Sequence, residues 1–229
     1  MNNDPIKREI RSFARRSGRL STTQKTAIKE LWGLYGIDYD SKSNAIAELT
    51  KADKPLKVEI GFGNGDSLIE MAKNDPDSQY IGIEVHTPGI GRILKNIADL
   101  GLTNLKVMSH DAMEILRDML PSRCLSRVFL FFPDPWHKAR HNKRRIVNQK
   151  FRDLLALKLL PKGVIHMATD WQDYADHMVD EFLNDERFYN LGDAKGVSLK
   201  PDYRPQTKFE RRGLRLEHAI SDLLFTLKD

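Results

Sequence analysis

Four acidic side chains stand at places where a sheet would bring them together. Glu59, Glu84, Asp111 and Asp134 each end, or directly follow, a short apolar run of strand-forming residues. The carboxyl ends of parallel strands meet at one edge of an open α/β sheet, where such proteins bind ligands. One acid alone is most often a solvated helix cap, but four on one rim predict a site for a ligand with hydroxyl and amino groups.

A glycine-rich turn follows the first of these strands. Its glycines are Gly61, Gly63 and Gly65. The dinucleotide fingerprint is G-x-G-x-x-G, but Asp66 stands where its last glycine belongs, and a carboxylate there would repel a pyrophosphate. Asp66 suits a phosphate-free ligand with a cationic amino group, such as S-adenosylmethionine. Glu84 is then placed to accept its ribose hydroxyls and Asp111 its adenine amino group; the alternative is a plain tight turn.

The stretch 127–145 carries the most concentrated chemistry. The apolar run Val128–Phe132 predicts a buried strand that stops at Pro133-Asp134-Pro135, and the two prolines hold Asp134 in a stiff turn. Trp136 adds a flat stacking surface. Five cations follow it: Lys138, Arg140, Lys143, Arg144 and Arg145. A rigid carboxylate, an aromatic face and dense positive charge favour chemistry on a nucleic-acid base over a solvated charged turn.

Composition narrows the functional class. The 229 residues carry a net charge of +5, with the excess in clusters at 7–19, 138–145 and 204–215, which favours a polyanionic partner. A single cysteine, Cys124, excludes an internal disulfide and fits a cytoplasmic protein. Nothing approaches the roughly 18 consecutive apolar residues of a membrane span, and no paired-histidine spacing indicates a metal site.

Three histidines and a tryptophan have competing interpretations. His137, His141 and His166 have equal claim to act as a general base, but the sequence favours a surface or structural role for each. Trp171 predicts either base stacking or packing at a helix start.

The remaining elements form an alternating series. Residues 1–20 read as a basic arm, Ser21-Thr22-Thr23 as the cap of a helix reaching Trp32, and 33–54 as an irregular connector. From residue 55 to 229 we expect one domain. Its predicted strands are 58–60, 80–85, 105–109, 128–132 and 164–168, with a final edge strand at 223–227. Its predicted helices are 66–73, 88–100, 111–120, 147–160 and 171–183. This alternation predicts an open, doubly wound, mainly parallel sheet.

Several motifs together resemble one family. They are RSFARRSGRL, GFGNGDSLIEMA, GIEVHTPGIGRIL, FFPDPWHKARHNKRRIVNQKF, HMATDWQDYADHM and RPQTKFERRGLRLEH. From roughly Arg11 onward the chain is similar to the bacterial tRNA (guanine-N7)-methyltransferases. One departure is Glu217, which stands where the family pattern has glycine and leaves the geometry beside His218 in question.

The resemblance implies a seven-stranded Class I methyltransferase that moves a methyl group from S-adenosylmethionine to N7 of a guanine in the tRNA variable loop (position 46 in tRNA numbering). It implies no metal and leaves monomer or homodimer open. By matched position, the cofactor contacts are Glu59, Gly61, Gly63, Gly65, Glu84, Asp111 and Asp134, with Asp134 also catalytic. The implied substrate contacts are Lys138, Asp170, Thr207, Lys208, Phe209 and Glu210. Arg140, His141, Asn142, Lys143, Arg144 and Arg145 would lie along the RNA.

The chemistry of N7 agrees with those parts. N7 has a lone pair and no proton, so a strong base is not needed, while a desolvated carboxylate at Asp134 would orient the guanine and stabilise the developing positive charge. Three alternatives remain: a methyltransferase acting on another base or on DNA, a non-catalytic RNA-binding module with this fold, and an NAD-dependent dehydrogenase. The intact acids and glycine turn disfavour the second, and Asp66 disfavours the third.

Overall fold

The computed structural model describes residues 11–13, 18–50, 53–206, 210 and 219–229. Their strands are β1 (Gly36–Ile37), β2 (Leu56–Ile60), β3 (Gln79–Ile83), β4 (Leu105–Met108), β5 (Leu125–Phe131), β6 (Leu159–Thr169), β7 (Phe188–Asn190) and β8 (Ser221–Leu227). Their helices are α1 (Thr22–Tyr35), α2 (Ala45–Thr50), α3 (Asp66–Asn74), α4 (Thr87–Leu100), α5 (Ala112–Asp118), α6 (Gln149–Lys158) and α7 (Gln172–Leu183). A 3-10 helix, Ala139–Arg144, lies between β5 and α6.

One sheet organises the described residues. Its strand order is β1-β4-β3-β2-β5-β6-β8-β7, with β1 to β6 parallel and β8 antiparallel to both its neighbours. From the centre of the sheet, β2, β3 and β4 follow one another toward one edge, whereas β5 and β6 follow one another toward the opposite edge. The order therefore reverses between β2 and β5, where α/β proteins open a crevice for ligands at the strands' carboxyl ends.

Two buried apolar layers cover the sheet. One packs α5, α6 and α7 against residues such as Val58, Ile81 and Leu130. The other packs α1, α3 and α4 against the opposite face, around Phe129 and Val107. Strands buried on both faces read as continuous apolar runs, which is why β5 was visible in the sequence.

The predicted α/β class is confirmed, with differences at particular elements. The sheet has eight strands among the described residues, because the two-residue β1 joins its β4 edge. The segment 33–54, expected to be irregular, contains β1 and α2. Strand β8 was expected at the edge, but it lies inside the sheet, between β6 and β7.

The segment before residue 55 packs on the rest of the sheet. Ser21 and Gln24 form a capping box at the start of α1, in which Ser21 Oγ accepts from Gln24 N (3.2 Å) and Gln24 Oε1 accepts from Ser21 N (2.9 Å). Gln24 Nε2 also donates to the Pro88 carbonyl of α4 (3.1 Å). The division into an arm and connector (1–54) and a methyltransferase domain (55–229) stays a prediction.

Candidate active site

A cavity of about 360 Å³ opens at the carboxyl ends of β2, β3 and β5, where the strand order reverses. Six of the predicted site residues line it: Glu59, Gly61, Gly63, Gly65, Glu84 and Asp134. The sheet thus brings together residues that are far apart in the chain, as the positions at the strand ends predicted.

The glycine turn forms the floor between β2 and α3. Gly61, Gly63 and Gly65 have φ of 75°, 59° and 81°, the left-handed region that glycine enters without steric cost. Gly61 N donates to the Ile83 carbonyl (2.8 Å), so the turn continues the pairing of β2 with β3. The turn therefore lines the cavity with backbone atoms that no glycine side chain covers.

The start of α4 closes on this turn. A methyl group at the Gly89 Cα would stand 1.9 Å from the Gly63 carbonyl oxygen. Only a residue without a side chain fits there, so Gly89 supports the turn from behind. Asp66, the first residue of α3, pairs with Arg92 of α4 across 2.8 Å. Both side chains are about half exposed, so this pair contributes little to stability.

Glu84 holds the turn in shape. Its Oε2 accepts from Gly63 N (2.8 Å), and its Oε1 accepts from Val85 N (2.7 Å) and His86 N (2.9 Å). Oε1 already accepts two hydrogen bonds, but Oε2 accepts only one and has a second acceptor site, so Glu84 can still receive a ligand hydroxyl. Its position at the cavity fits the predicted ribose contact and adds a backbone role that the sequence did not reveal.

Glu59 is the most unusual group in the cavity. It is 2% exposed, and its Oε2 has no hydrogen-bond partner among the described residues. Burial first, and the nearby charge of Glu84 second, raises the pKa of Glu59 to about 8. A buried carboxyl without a partner is costly, and a ligand ammonium group would supply the missing donor and charge.

Asp111 lies beside the cavity. Its carboxylate caps α5 by accepting from Met113 N (3.0 Å), while its chain neighbours His110 and Ala112 line the cavity wall. Burial is the main cause that raises the pKa of Asp111. The described contacts are those of a helix cap, and the predicted adenine contact stays a prediction.

Asp134 stands on the cavity rim in a strained turn. β5 ends at Phe131, one residue earlier than predicted, because Phe132 turns the chain with φ 52°. Trp136 also has a positive φ, 51°. Bulky residues rarely take this conformation, and such strain concentrates at functional sites. Phe132 N donates to the Ala168 carbonyl (2.7 Å), which ties the turn to β6.

The carboxylate of Asp134 is exposed. This corrects the expectation that it is desolvated: the turn projects Asp134 over the cavity mouth, and no described side chain covers it.

The basic segment after the turn divides into exposed and anchored cations. Lys138, Arg140 and Lys143 are exposed along the 3-10 helix. Arg145 is 3% exposed: its Nε donates to the Pro135 carbonyl (3.0 Å), it pairs with Asp173, and its Cζ lies 4.8 Å from the Tyr174 ring centroid. An RNA contact was expected for Arg145, but its burial in the protein makes it a support for the Asp134 turn.

The partly exposed members of this segment have contacts of their own. The His141 ring meets Trp136 edge-on, with centroids 6.2 Å apart, and the Asn142 side-chain oxygen is buried without a partner among the described residues. Arg144 also packs on Trp136, with Cζ 4.0 Å from the ring centroid. These residues lie on the surface predicted to face RNA.

The predicted substrate residues occupy two places. Asp170 directly follows β6, the strand beside β5, so it stands next to the Asp134 turn. Glu210 is buried and accepts from Arg204 Nη1 (2.5 Å), while Arg204 Nη2 donates to Asp222 (2.9 Å). Thr207, Lys208 and Phe209, with Glu217 and His218, lie outside the described residues.

The two other candidate histidines, His166 and His137, have different surroundings. His166 is fully buried on β6, where Nε2 lies 2.8 Å from Asp222 and Nδ1 3.0 Å from the Tyr203 hydroxyl. Burial is the main cause that lowers the pKa of His166. This is the structural role weighed for it. His137 is exposed and packs edge-on against Trp171 at the start of α7, with centroids 4.1 Å apart.

Sequence reasoning missed part of the cavity wall. Ser12 and Phe13 of the arm line it, as do His86 and Phe132. Ser12 and Phe13 belong to the motif RSFARRSGRL, and the family resemblance of this motif was the one sign that they could matter for function. Nothing in their spacing connected them to the glycine turn.

The described residues show neither a metal-binding cluster nor a membrane-spanning helix. They contain no group of three or more His, Cys, Asp or Glu side chains arranged to hold a metal ion. None of their helices is long and apolar enough to cross a membrane.

Comparisons with known proteins add independent evidence. A family model described as "Putative methyltransferase" matches residues 53–223. The tRNA (guanine-N(7)-)-methyltransferase of Yersinia pestis (strain Pestoides F) is 48% identical over 222 residues, which cover 97% of this chain and 93% of that protein. The protein of the same name from Cronobacter sakazakii (strain ATCC BAA-894) is 48% identical over 235 residues, covering 98% of each.

Solved structures show the same fold at low identity. The 16S rRNA methyltransferase KamB superimposes with a TM-score of 0.56 at 14% identity, covering 82% of this chain and 94% of that one. The aminoglycoside resistance methyltransferase NpmB1 gives 0.53 at 15% identity, with coverages of 81% and 93%. At such identity, the similarity concerns the fold alone.

Proposed function

This chain belongs to the tRNA (guanine-N7)-methyltransferase family, and from that membership we propose that it transfers a methyl group from S-adenosylmethionine to N7 of a guanine in tRNA. The observation that carries the proposal is the pairing of two acids at one cavity. Glu59 is buried there, with Oε2 unpartnered among the described residues, and Asp134 stands exposed on the rim. One suits a cationic amino group inside the cavity, and the other suits a base outside it.

The cavity residues fit this cofactor. Glu59 Oε2, which has no partner in the described part of the chain, suits the ammonium group of the methionine moiety, and the glycine turn leaves room for backbone contacts beside it. Glu84 Oε2 retains an acceptor site for a ribose hydroxyl, and Asp111 stands beside the cavity for the adenine amino group. S-adenosylmethionine, when bound, supplies an electrophilic methyl group on a sulfonium.

Asp134 orients the guanine and stabilises its charge. Because N7 bears no proton, Asp134 has none to remove, whereas the methylated ring becomes cationic. A carboxylate that is already in place when this charge develops binds the transition state more tightly than the ground state. The strained turn and its anchors at Ala168 and Arg145 fix the position of Asp134.

The exposed cations next to this turn hold the RNA. Lys138, Arg140 and Lys143 present their charges to solvent and suit phosphate contacts, which depend on charge more than on geometry. Asp170 shares the rim with Asp134 and suits a contact to the guanine. Glu210 is buried against Arg204. This burial supports a role for Glu210 in positioning the predicted substrate contacts at 207–209.

Several finer points belong to the same proposal. The target guanine is that of the tRNA variable loop, the compartment is the cytoplasm, and the enzyme works without a metal. Both a monomer and a homodimer are compatible with this proposal.

The proposal is tested by incubating the protein with bulk tRNA and S-adenosylmethionine labelled in its methyl group. We expect label in tRNA and 7-methylguanosine as the labelled nucleoside. A transcript whose variable-loop guanine is replaced by adenine should accept no label. A different labelled nucleoside would favour a methyltransferase of other specificity. No transfer, together with an absence of cofactor binding in a calorimetric titration, would favour the non-catalytic RNA-binding module.

A further inference from the structure

Two side chains next to the Asp134 turn hold the basic arm against the cofactor cavity. Trp136 Nε1 donates to the Ser12 carbonyl (3.1 Å). Arg144 donates through Nε to the Arg11 carbonyl (3.3 Å) and through Nη2 to the Phe13 carbonyl (3.0 Å). Three consecutive backbone carbonyls of the arm are therefore held from a single surface.

The two holding side chains also support each other. The guanidinium of Arg144 lies over the Trp136 ring, 4.0 Å from its centroid, in a cation–π contact. The positive φ of Trp136 places its ring in the turn that leaves β5. A planar guanidinium with two donors aimed at two carbonyls is a geometry that lysine cannot reproduce.

The hydrogen bonds from Trp136 and Arg144 to the arm also determine which residues line the cavity. Ser12 and Phe13 line the same space as Glu59 and the glycine turn. Trp136 and Arg144 contact only backbone atoms of the arm, so they leave the Phe13 side chain available to a ligand in the cavity that this residue lines; the centroid of the Phe13 ring itself lies 5.7 Å from Arg11 Cζ. Arg11 lies close enough to Asp111 for its charge to lower the pKa of that carboxyl, against the larger effect of burial.

We infer that Phe13 is a cofactor-binding residue, and that Trp136 and Arg144 are positioning residues that bring it to the cofactor. This inference rests on the proposed function, because the ligand is S-adenosylmethionine. It gives the basic arm a role in cofactor binding that is distinct from contact with RNA. It also gives Arg144 a role before any tRNA is present.

The test is titration calorimetry of the full-length protein with S-adenosylmethionine and, separately, S-adenosylhomocysteine, in the absence of tRNA. Phe13→Ala should raise the Kd by about 10-fold, because an aromatic wall of the cavity is lost. Arg144→Ala should raise the Kd by about 3- to 10-fold. Arg144→Lys should resemble Arg144→Ala, because the arm is held by two guanidinium donors and not by the positive charge alone. Lys195→Ala, at an exposed cation between β7 and β8 that has no place in the site, should leave the Kd within about twofold.

A combined variant tests the route. If Arg144 acts through the arm, Phe13→Ala with Arg144→Ala should bind no more weakly than Phe13→Ala alone, since residues that act as a unit are not additive. Trp136→Phe keeps a ring in the turn but loses the donor to Ser12, and should raise the Kd by about 2- to 3-fold.

Specific results would overturn the inference. A Kd for Phe13→Ala equal to that of the wild type would remove Phe13 from the site. Additive effects of Phe13→Ala and Arg144→Ala, or a wild-type Kd for Arg144→Lys, would show that Arg144 does not act by gripping the arm. If the wild-type protein bound neither compound, the proposed function would fall and the inference with it; wild-type binding with an unaffected Phe13→Ala would remove the inference alone.

Discussion

Glu59 and Glu84 present their carboxyl groups to the same cavity from the ends of the neighbouring strands β2 and β3. Burial and, to a smaller extent, the charge of Glu84 raise the pKa of Glu59 to about 8. At pH 7, Glu59 in the ligand-free protein therefore holds a proton. An ammonium group bound against Glu59 favours its ionised form, so we expect S-adenosylmethionine binding at pH 7 to release about one proton.

This proton release is measured by calorimetry in two buffers of different ionisation enthalpy. S-adenosylhomocysteine, which keeps the amino group but lacks the sulfonium, should release the same amount, and Glu59→Gln should release none. Heats that are identical in the two buffers for the wild-type protein would contradict the assignment.

The same pKa predicts how stability depends on pH in the absence of ligand. The pKa of Glu59 in the folded state, about 8, lies above its ordinary value of 4.5. Its contribution to the free energy of unfolding is therefore fully present below pH 4.5 and is lost as pH rises through 8. Between pH 5 and 8, we expect the wild type to lose on the order of 1–3 kcal/mol relative to Glu59→Gln.

Urea unfolding of both proteins at several pH values measures this difference. Glu70→Gln, at an exposed position on α3, is the matched control and should follow the wild type. A constant difference between wild type and Glu59→Gln across this range would show that Glu59 ionises normally.

Gly89→Ala should disturb the glycine turn from a position outside the motif. The added methyl group meets the Gly63 carbonyl oxygen at 1.9 Å, so backbone must shift. We expect a loss of about 1–3 kcal/mol in stability and a Kd for S-adenosylmethionine at least about 10-fold higher. Gly33→Ala is the control, because a methyl group on that residue of α1 meets nothing within 4 Å. Unchanged cofactor affinity in Gly89→Ala would mean that the turn tolerates displacement.

Asp134→Asn separates charge from shape. Asparagine keeps one acceptor oxygen and the size of the side chain but removes the negative charge. If charge stabilisation dominates, single-turnover methylation of tRNA at saturating cofactor should slow by about 10²–10³-fold, with little change in tRNA affinity. Asp134→Ala should be slower still, because orientation is lost as well. Near wild-type turnover in Asp134→Asn would move the catalytic assignment to another residue of the rim.

Arg145 and Lys143 should behave oppositely although both belong to the basic segment. Arg145→Ala removes a buried guanidinium from the Pro135 carbonyl and the Tyr174 ring, and should cost about 1–3 kcal/mol in the free energy of unfolding. Lys143→Ala should leave stability unchanged and lower the salt slope of tRNA binding by about one unit. Urea unfolding and tRNA binding at several salt concentrations measure both effects. A stable Arg145→Ala variant with a reduced salt slope would restore Arg145 to the RNA surface.

The sheet and the acids on its rim could be predicted because each depends on local patterns. Apolar runs give β2 to β6, and an acid at the end of a parallel strand must lie on the ligand edge. The left-handed φ of Phe132 could not be predicted, because its local preference is for an extended conformation and only tertiary contacts hold it otherwise. The short β1 was missed because two residues show no periodicity.

The functions of the arginines depended on distant partners. Nothing in the run from Lys138 to Arg145 separates the buried Arg145 from its exposed neighbours, since Asp173 and Tyr174 lie on α7. Glu210 reads as a polar loop residue, but Arg204 and Asp222 bury it in an ionic cluster. The contact of the arm with Trp136 and Arg144 joins segments more than a hundred positions apart.

The interior position of β8 has a consequence for synthesis on the ribosome. Ser221–Leu227 lies between β6 and β7, so until the chain beyond Ile220 has left the exit tunnel, β6 is paired on its β5 side alone and β7 lacks its described partner strand. Chains fold progressively as they emerge, and an unpaired strand edge invites association with other chains. The nascent protein therefore passes through an interval in which the cofactor half of the sheet can form while β6 stays open, and a chaperone that shields this edge would act in that interval.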